Sequence, residues 1–95
     1  MKPFFVYILK CSDASYYVGH TDGIEKRMAE HNLGECHSYV ATRLPVNIVY
    51  VEEFATRDEA IIAECAIKGW TRRKKEALIN GDFQKLSQLS KKKFN

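Results

Sequence analysis

Apolar residues change their spacing along the chain, and each change marks a predicted element. Residues 4–11 are apolar at both odd and even positions and rich in β-forming types, which predicts a strand covered on both faces. A polar turn over residues 12–15 leads into a second β-rich run over residues 16–20. These two runs predict a β-hairpin. Residues 46–54 alternate at first and have strong β propensity, so they predict a third strand.

Capping residues and helical periodicity account for most of the remaining chain. Asp22 with Glu25, and Thr56 with Glu59, form the capping-box pattern that begins a helix. The expected helices run from Asp22 to Gly34, from Thr56 to about Lys68, from Thr71 to Ile79, and over a short last segment capped by Asp82. Residues 35–45 are expected to form a loop. The predicted fold is α+β: a three-stranded antiparallel sheet flanked by helices, in the order β-β-α-β-α-α-α.

Length and composition predict one domain without a large cavity. The chain has 95 residues, of which 45% are hydrophobic, as is ordinary for a globular protein. A chain this short buries about two-thirds of its unfolded surface. We therefore expect a single domain over residues 1–90, a basic tail over residues 91–95, and no organic cofactor.

The net charge of +3 alone does not indicate a partner, but the clustering of the basic residues favours a polyanionic one. Five basic residues crowd one stretch: Lys68, Arg72, Arg73, Lys74 and Lys75. Clusters of this kind bind the phosphates of nucleic acids, although a solvated helix face has the same composition.

The cysteines and the apolar runs bear on the compartment. Cys11, Cys36 and Cys65 are odd in number and far apart, so they predict no disulfide framework. A reducing cytoplasm is the simplest compartment for such a chain. No apolar run is long enough to span a membrane, and the N-terminus has no room for a signal peptide, so no membrane partner is expected.

One carboxylate stands out because it falls among core-facing positions. A helical wheel surrounds Glu64 with the apolar residues Ala60, Ile61 and Ile67. Burying a carboxylate is costly unless another group pairs it. Metal coordination would provide that partner, and so would a salt bridge to Lys68 or Arg27. The helical pattern leaves both interpretations open.

Four further positions are candidates for the same site. Tyr7 lies in an apolar strand and Tyr17 in its hairpin partner, and a buried tyrosine hydroxyl needs a hydrogen-bond partner. Arg27 and His31 are four residues apart, so they share one face of the first helix. Each feature alone also fits an ordinary core or surface residue. Gly19 within a strand indicates that another group approaches its backbone closely.

Taken together, these positions resemble the GIY-YIG nuclease superfamily. The matching motifs are Val6-Tyr7, Tyr17-Val18-Gly19-His20-Thr21, Arg27, His31-Asn32, Glu64 and Ile67-Lys68-Gly69-Trp70. The similarity covers residues 4 to 86, and it is strongest to small standalone bacterial members, which are similar to the catalytic domain of Slx-type structure-specific endonucleases. The name motif is altered at Phe5 and Val6, neither of which supplies a reacting group.

The resemblance implies a metal-dependent DNA endonuclease. Its similarity to Slx-type enzymes implies structure specificity and a role in DNA repair or recombination with a larger repair complex. Glu64 would hold one Mg²⁺ or Mn²⁺, and Arg27 would clamp the scissile phosphate. Tyr17 would hydrogen-bond the phosphate or the nucleophile, and the five basic residues would contact backbone phosphates. Tyr7 resembles the family's general base, whereas His31 titrates nearer neutral pH, and the sequence does not choose between them.

A non-catalytic nucleic-acid-binding module on the same fold is the alternative function. Glu64 favours the enzyme, because a carboxylate beside a phosphate repels it unless a metal lies between them. The absence of a second, DNA-targeting domain favours the binding module.

A shared site requires one hairpin register. Side chains alternate along a strand, and cross-strand partners share a face. Tyr7 and Tyr17 therefore face the same side only if odd positions pair with odd ones. We expect Tyr7 opposite Gly19 and Leu9 opposite Tyr17, with an odd-length turn around Asp13.

Overall fold

The sheet has three antiparallel strands in the spatial order β2-β1-β3, as the computed structural model of the chain describes it for residues 2–35 and 37–90. The strands are β1 (Phe4–Lys10), β2 (Tyr16–Thr21) and β3 (Asn47–Phe54). The helices are α1 (Ile24–Asn32), α2 (Ser38–Ala41), α3 (Arg57–Lys68), α4 (Arg72–Ile79) and α5 (Phe83–Ser90). The predicted α+β class and element order are confirmed, with α2 as an addition. The expected basic tail over residues 91–95 lies outside the described residues.

The central strand β1 is buried on both faces, as its continuous apolar run predicts. Val6 and Ile8 belong to one core, which α3 and α4 cover. Tyr7 and Leu9 point the other way, into a second core beneath α1 and α2. Fully burying an aliphatic side chain of this size contributes about 1.5–3 kcal/mol. The sheet is therefore fixed from both sides, with β2 and β3 as its edges.

The hairpin has the register that a shared tyrosine site requires. Tyr7 pairs with Gly19, and Leu9 pairs with Tyr17. The connection between β1 and β2 is the odd-length turn over residues 11–15. Asp13 stabilises this turn, because its carboxylate accepts a hydrogen bond from the backbone N–H of Ser15 at 3.0 Å.

Two local predictions were wrong, one at the start of α1 and one in the segment that follows it. Asp22 does not cap this helix: the N-cap is Gly23, without a side-chain bond, and the Thr21 hydroxyl accepts from the Gly23 N–H at 3.1 Å. The expected loop over residues 35–45 contains α2, which is too short to show helical periodicity. A histidine begins that helix, since the His37 side chain accepts from a backbone N–H at 3.2 Å.

The other predicted helix starts are confirmed. Thr56 and Glu59 form a complete capping box at α3, with both hydrogen bonds at 3.2 Å. The Thr71 hydroxyl caps α4, and the Asp82 carboxylate accepts from the Lys85 N–H at 3.0 Å at the start of α5. None of the helices within the described residues has the length and apolar character needed to cross a bilayer.

Removing the Thr56 hydroxyl should destabilise the fold measurably. Thr56→Ala leaves the Glu59 N–H without its cap, so we expect a loss of about 1 kcal/mol in the free energy of unfolding. Thr56→Ser keeps the hydroxyl and should retain most of the stability. Urea unfolding followed by circular dichroism measures both, and equal losses in the two variants would contradict the capping role.

Candidate active site

A buried tyrosine–histidine pair lies on the α1 face of the sheet. The Tyr7 hydroxyl and His31 Nε2 are 2.8 Å apart, and the two side chains are 1% and 0% exposed. The Tyr17 ring packs edge-on against the same imidazole, with 5.5 Å between centroids. Tyr7, Tyr17 and His31, three of the predicted site residues, therefore meet in one place. His31 is a core residue and not the surface residue that its spacing alone also allowed.

The environment of His31 favours its neutral form. Burial, and then the positive charges of Arg27 and His37, hold the pKa of His31 below its ordinary value of 6.5. A neutral imidazole has one donor and one acceptor nitrogen. Its Nε2 bonds Tyr7, while Nδ1 has no hydrogen-bond partner among the residues that the structure describes. Such a ring can accept the phenolic proton of Tyr7.

Gly19 is what allows the two tyrosines to occupy this face. A Cβ added at Gly19 would lie 2.5 Å from the Tyr7 hydroxyl oxygen and 3.2 Å from Cε2 of Tyr17. The close approach that a glycine in a strand indicates is therefore an approach by the two tyrosine rings.

Glu64 projects from α3 on the other face of the sheet. It is only 9% exposed, and both of its carboxylate oxygens have partners. Lys68 Nζ is 2.5 Å from Oε2, and His20 Nδ1 contacts Oε1. Burial alone would raise the pKa of Glu64, but the bonds from Lys68 and His20 outweigh it, so the pKa lies below 4.5. Of the predicted apolar neighbours, Ala60 and Ile67 are buried, whereas Ile61 is 36% exposed.

A cavity of about 320 Å³ at the edge of β2 connects the two faces. It is lined by Tyr16, Tyr17, Val18, His37, Tyr39, Lys68 and Lys75. Tyr17 comes from the face of the tyrosine–histidine pair, and Lys68 reaches the cavity while it bonds Glu64. Since β2 is an edge strand, no neighbouring strand separates these groups. The predicted residues thus form two clusters, one on each side of β2, and the expectation of a single shared site for all of them was wrong. Of these residues, Tyr17, Lys68 and Lys75 line the cavity, whereas Tyr7, His31, Arg27 and Glu64 do not.

Arg27 lies next to the tyrosine–histidine pair. It is half-buried on α1, and its Nε is 3.2 Å from a carboxylate oxygen of Glu30. Its charge acts on His31, one helical turn further on. Arg27 also lines a smaller cavity of about 90 Å³ at the start of α1.

The five basic residues have different surroundings. Arg72 bonds Glu76 at 3.1 Å and donates to the Ala14 carbonyl at 2.7 Å. Lys74 lies over the Trp70 ring, 4.3 Å from its centroid, and Arg73 is exposed. Only Lys68 and Lys75 line the cavity beside β2.

The donor atoms around Glu64 fit a divalent cation held by few protein ligands. No group of three or more His, Cys, Asp and Glu side chains able to hold a metal exists within residues 2–35 and 37–90. Mg²⁺ is nevertheless commonly bound by one or two carboxylates together with substrate phosphates. Glu64 could supply such a ligand once Lys68, whose side chain is half exposed, moves away from Oε2.

Comparison with known proteins shows the family. The model of the GIY-YIG catalytic domain matches residues 3–77. A UPF0213 protein of Listeria monocytogenes serotype 4b is 48% identical over 75 residues, which cover 79% of this chain and 84% of the Listeria protein. A UPF0213 protein of Staphylococcus aureus strain Mu3 is 44% identical over 79 residues, covering 83% of this chain and 96% of its own length.

Solved structures agree with this assignment. The solution structure of a UPF0213 protein from Bacillus halodurans has a TM-score of 0.55 at 33% identity, covering 95% of this chain and 99% of that one. A protein from E. faecalis has a TM-score of 0.58 at 37% identity, covering 100% and 96%. The chain belongs to the GIY-YIG family, a nuclease-type family whose substrates are nucleic acids and whose members generally depend on a divalent metal.

His20 is the residue that the sequence analysis missed. It lies inside the matched motif, and strand alternation places it on the face of Val18, toward α3. The sequence did contain a signal for His20. It lies two residues from Val18 on the same strand, so the two side chains share a face, and α3 places Glu64 over that face. His37 and Tyr39, in the segment expected to be a loop, belong to a stretch that resembles the family, but the sequence analysis gave them no role in the site.

The close contact at Gly19 predicts that alanine is tolerated less well there than at Gly69. Gly19→Ala forces the new Cβ into the Tyr7 ring and should lower the free energy of unfolding by about 1–3 kcal/mol. In Gly69→Ala the new Cβ would make only ordinary contacts, the nearest at 3.6 Å, so stability should be unchanged or slightly higher. Thermal unfolding compares the two, and an equally stable Gly19→Ala would show that the tyrosine does not need this space.

The ion pairs of Glu64 predict a pH dependence. Because its pKa is lower in the folded state, the stability that its charge provides is fully present above its ordinary pKa of 4.5 and is lost as the pH falls through the lower folded value. The difference in unfolding free energy between wild type and Glu64→Gln should therefore be largest above pH 4.5 and shrink as the pH falls below that value. Glu53→Gln, at an exposed glutamate on β3, is the control. A difference that grows on acidification would contradict this interpretation.

Proposed function

We propose that this protein is a metal-dependent endonuclease that hydrolyses phosphodiester bonds in DNA, and that the reaction takes place at the edge strand β2. The observation that carries the proposal is the position of Lys68. Its ammonium group bonds the buried Glu64 and lines the same cavity as Tyr17. A phosphate in that cavity would lie between the carboxylate and the tyrosine–histidine cluster.

Tyr7 and His31 act together as the base. The two groups already share a hydrogen bond of 2.8 Å. The Tyr7 hydroxyl, which is buried in the free protein, would take a proton from the attacking water once the bound nucleic acid brings that water to it, and would pass its own proton to Nε2 of the neutral His31. In this proposal Tyr7 and His31 need not be alternatives, and the lowered pKa of His31, caused first by burial, supports a neutral imidazole as the acceptor.

The cations hold and neutralise the phosphate. Arg27 would clamp the scissile group and offset the charge that develops on it. Lys68 and Lys75 line the cavity and are placed to contact backbone phosphates, with Tyr17 donating a hydrogen bond from its hydroxyl. Arg72 and Lys74 have partners within the protein and contribute less, while the exposed Arg73 adds long-range attraction.

Glu64 would hold one Mg²⁺ or Mn²⁺, and His20 lies against its other carboxylate oxygen, Oε1. Such an ion supplies Lewis-acid polarisation of a phosphoryl oxygen when bound. As the nucleic acid enters, the Lys68 ammonium group would leave the Glu64 carboxylate and bond a phosphate instead. We place the enzyme in the reducing cytoplasm, in agreement with a chain whose described cysteines are free, and propose a role in DNA repair as part of a larger complex.

Replacing Glu64 should separate catalysis from binding. In Glu64→Ala, cleavage of branched, nicked, single-stranded and duplex DNA with Mg²⁺ or Mn²⁺ should fall by orders of magnitude. Binding in EDTA should persist or tighten, because a negative charge beside the phosphate is gone. Arg27→Ala should weaken both, because the guanidinium touches the phosphate in the ground state and the transition state. Glu53→Ala, on the opposite edge strand, is the control.

Two results would revise the proposal. Cleavage that is equal in wild type and Glu64→Ala and insensitive to EDTA would exclude the metal-dependent mechanism. If wild type cuts none of the substrates but binds them, the protein is a nucleic-acid-binding module on a nuclease fold.

A further inference from the structure

We propose that the cavity beside β2 contains a subsite for one unpaired nucleobase, formed by the rings of Tyr39 and His37. This inference rests on the proposed function in taking nucleic acid as the ligand, and it adds what the protein recognises besides phosphate. Neither ring belongs to the catalytic groups described above.

Aromatic rings cluster at this cavity, where the second core meets the surface. The Tyr17 ring lies 5.1 Å from the His37 ring and 6.2 Å from the Tyr39 ring, measured between centroids. Tyr17 and Tyr39 are within 27° of parallel. All three rings line the cavity, and His37 is exposed. Flat rings of this kind provide stacking surfaces for bases, whatever the sequence.

The Tyr39 ring is held in place before any ligand binds. The Arg43 guanidinium lies over it, 3.8 Å from the centroid. Arg43 is itself fixed, because it bonds Asp13 at 3.0 Å and donates to the Tyr39 carbonyl at 2.9 Å. The His37 side chain bonds the Tyr39 N–H at 3.2 Å. The guanidinium and the Tyr17 ring are thus both fixed neighbours of the Tyr39 ring, and a base would enter between the two tyrosine rings beside the exposed His37.

Charge and size define the ligand further. Lys68 and Lys75 line the same cavity, so the phosphates on either side of a stacked base meet two ammonium groups. The volume of about 320 Å³ is at the lower end for ligand pockets and suits one planar group with its sugar. Bases inside a duplex are stacked on both faces and cannot enter. The ligand is therefore a nucleotide from a single strand, a flap or a branch.

Binding measured without metal tests the subsite. Fluorescence anisotropy in EDTA would compare a labelled single-stranded oligonucleotide with a strand of equal length and charge that lacks its bases. Wild type should bind the base-bearing strand about tenfold more tightly. Tyr39→Leu and His37→Asn should reduce this preference severalfold, with the slope of affinity against salt unchanged, because the phosphate contacts remain. Tyr39→Phe should keep the preference.

Controls separate this subsite from the nuclease proposal. Phe83→Ala removes an exposed aromatic ring from α5 and should leave the preference unchanged. Tyr39 packs partly against the core, so the melting temperatures of its variants show whether they are folded. His37 is exposed, and asparagine at this position keeps a side chain able to cap α2.

Equal binding of the two strands by wild type, or full preference in folded Tyr39→Leu and His37→Asn, would overturn the subsite alone. No binding of either strand would overturn the proposed function as well. Base-dependent binding without any cleavage would support the subsite and contradict the nuclease.

Discussion

The contact between Tyr7 and the backbone of Gly19 is the constraint on which the site depends. It lies across the hairpin, where the Tyr7 hydroxyl occupies the space that a Cβ at Gly19 would need. The register that brings these residues together also puts Tyr17 on the same face as Tyr7. A slip of one residue would move the partner side chains to the other face of the sheet. The tyrosine cluster therefore follows from one strand pairing and one missing side chain.

The position of β2 at the edge of the sheet makes a two-sided site possible. In a central strand, the groups on the two faces would be separated by neighbouring strands. Here α1 brings His31 and Arg27 to one face, while α3 brings Glu64 to the other, and the cavity at the edge is lined by Tyr17 from the first side and Lys68 from the second. A small domain can thus use both sides of a three-stranded sheet, although neither side alone has all the required groups.

The buried carboxylate of Glu64 shows how the protein tolerates a charge at a nearly buried position. Glu64 would be costly beneath α3 if it were alone, and its bonds to Lys68 and His20 compensate for that burial. In the proposed reaction these partners are replaceable, because Lys68 is half exposed and has a phosphate to move to. The sequence analysis treated a salt bridge to Lys68 and a metal as alternatives for Glu64. In the proposed reaction the salt bridge belongs to the free protein and is replaced when a metal binds.

The local pattern of the sequence determined most of the elements and the family. The strands and the capping box at Thr56 follow from alternation and from hydrogen-bonding residues close together in the chain, so the sequence alone predicts them. The hairpin register was predicted on a further condition, that Tyr7 and Tyr17 share one site, and it is confirmed. The start of α1 and the presence of α2 were decided by the Thr21 and His37 side chains, whose bonds to nearby amides have no clear pattern. Tertiary structure alone decided that His20 bonds Glu64, and that Lys75 rather than Arg72 lines the cavity. These contacts join residues on different elements, and their geometry depends on how α3 and α4 pack over the edge of the sheet.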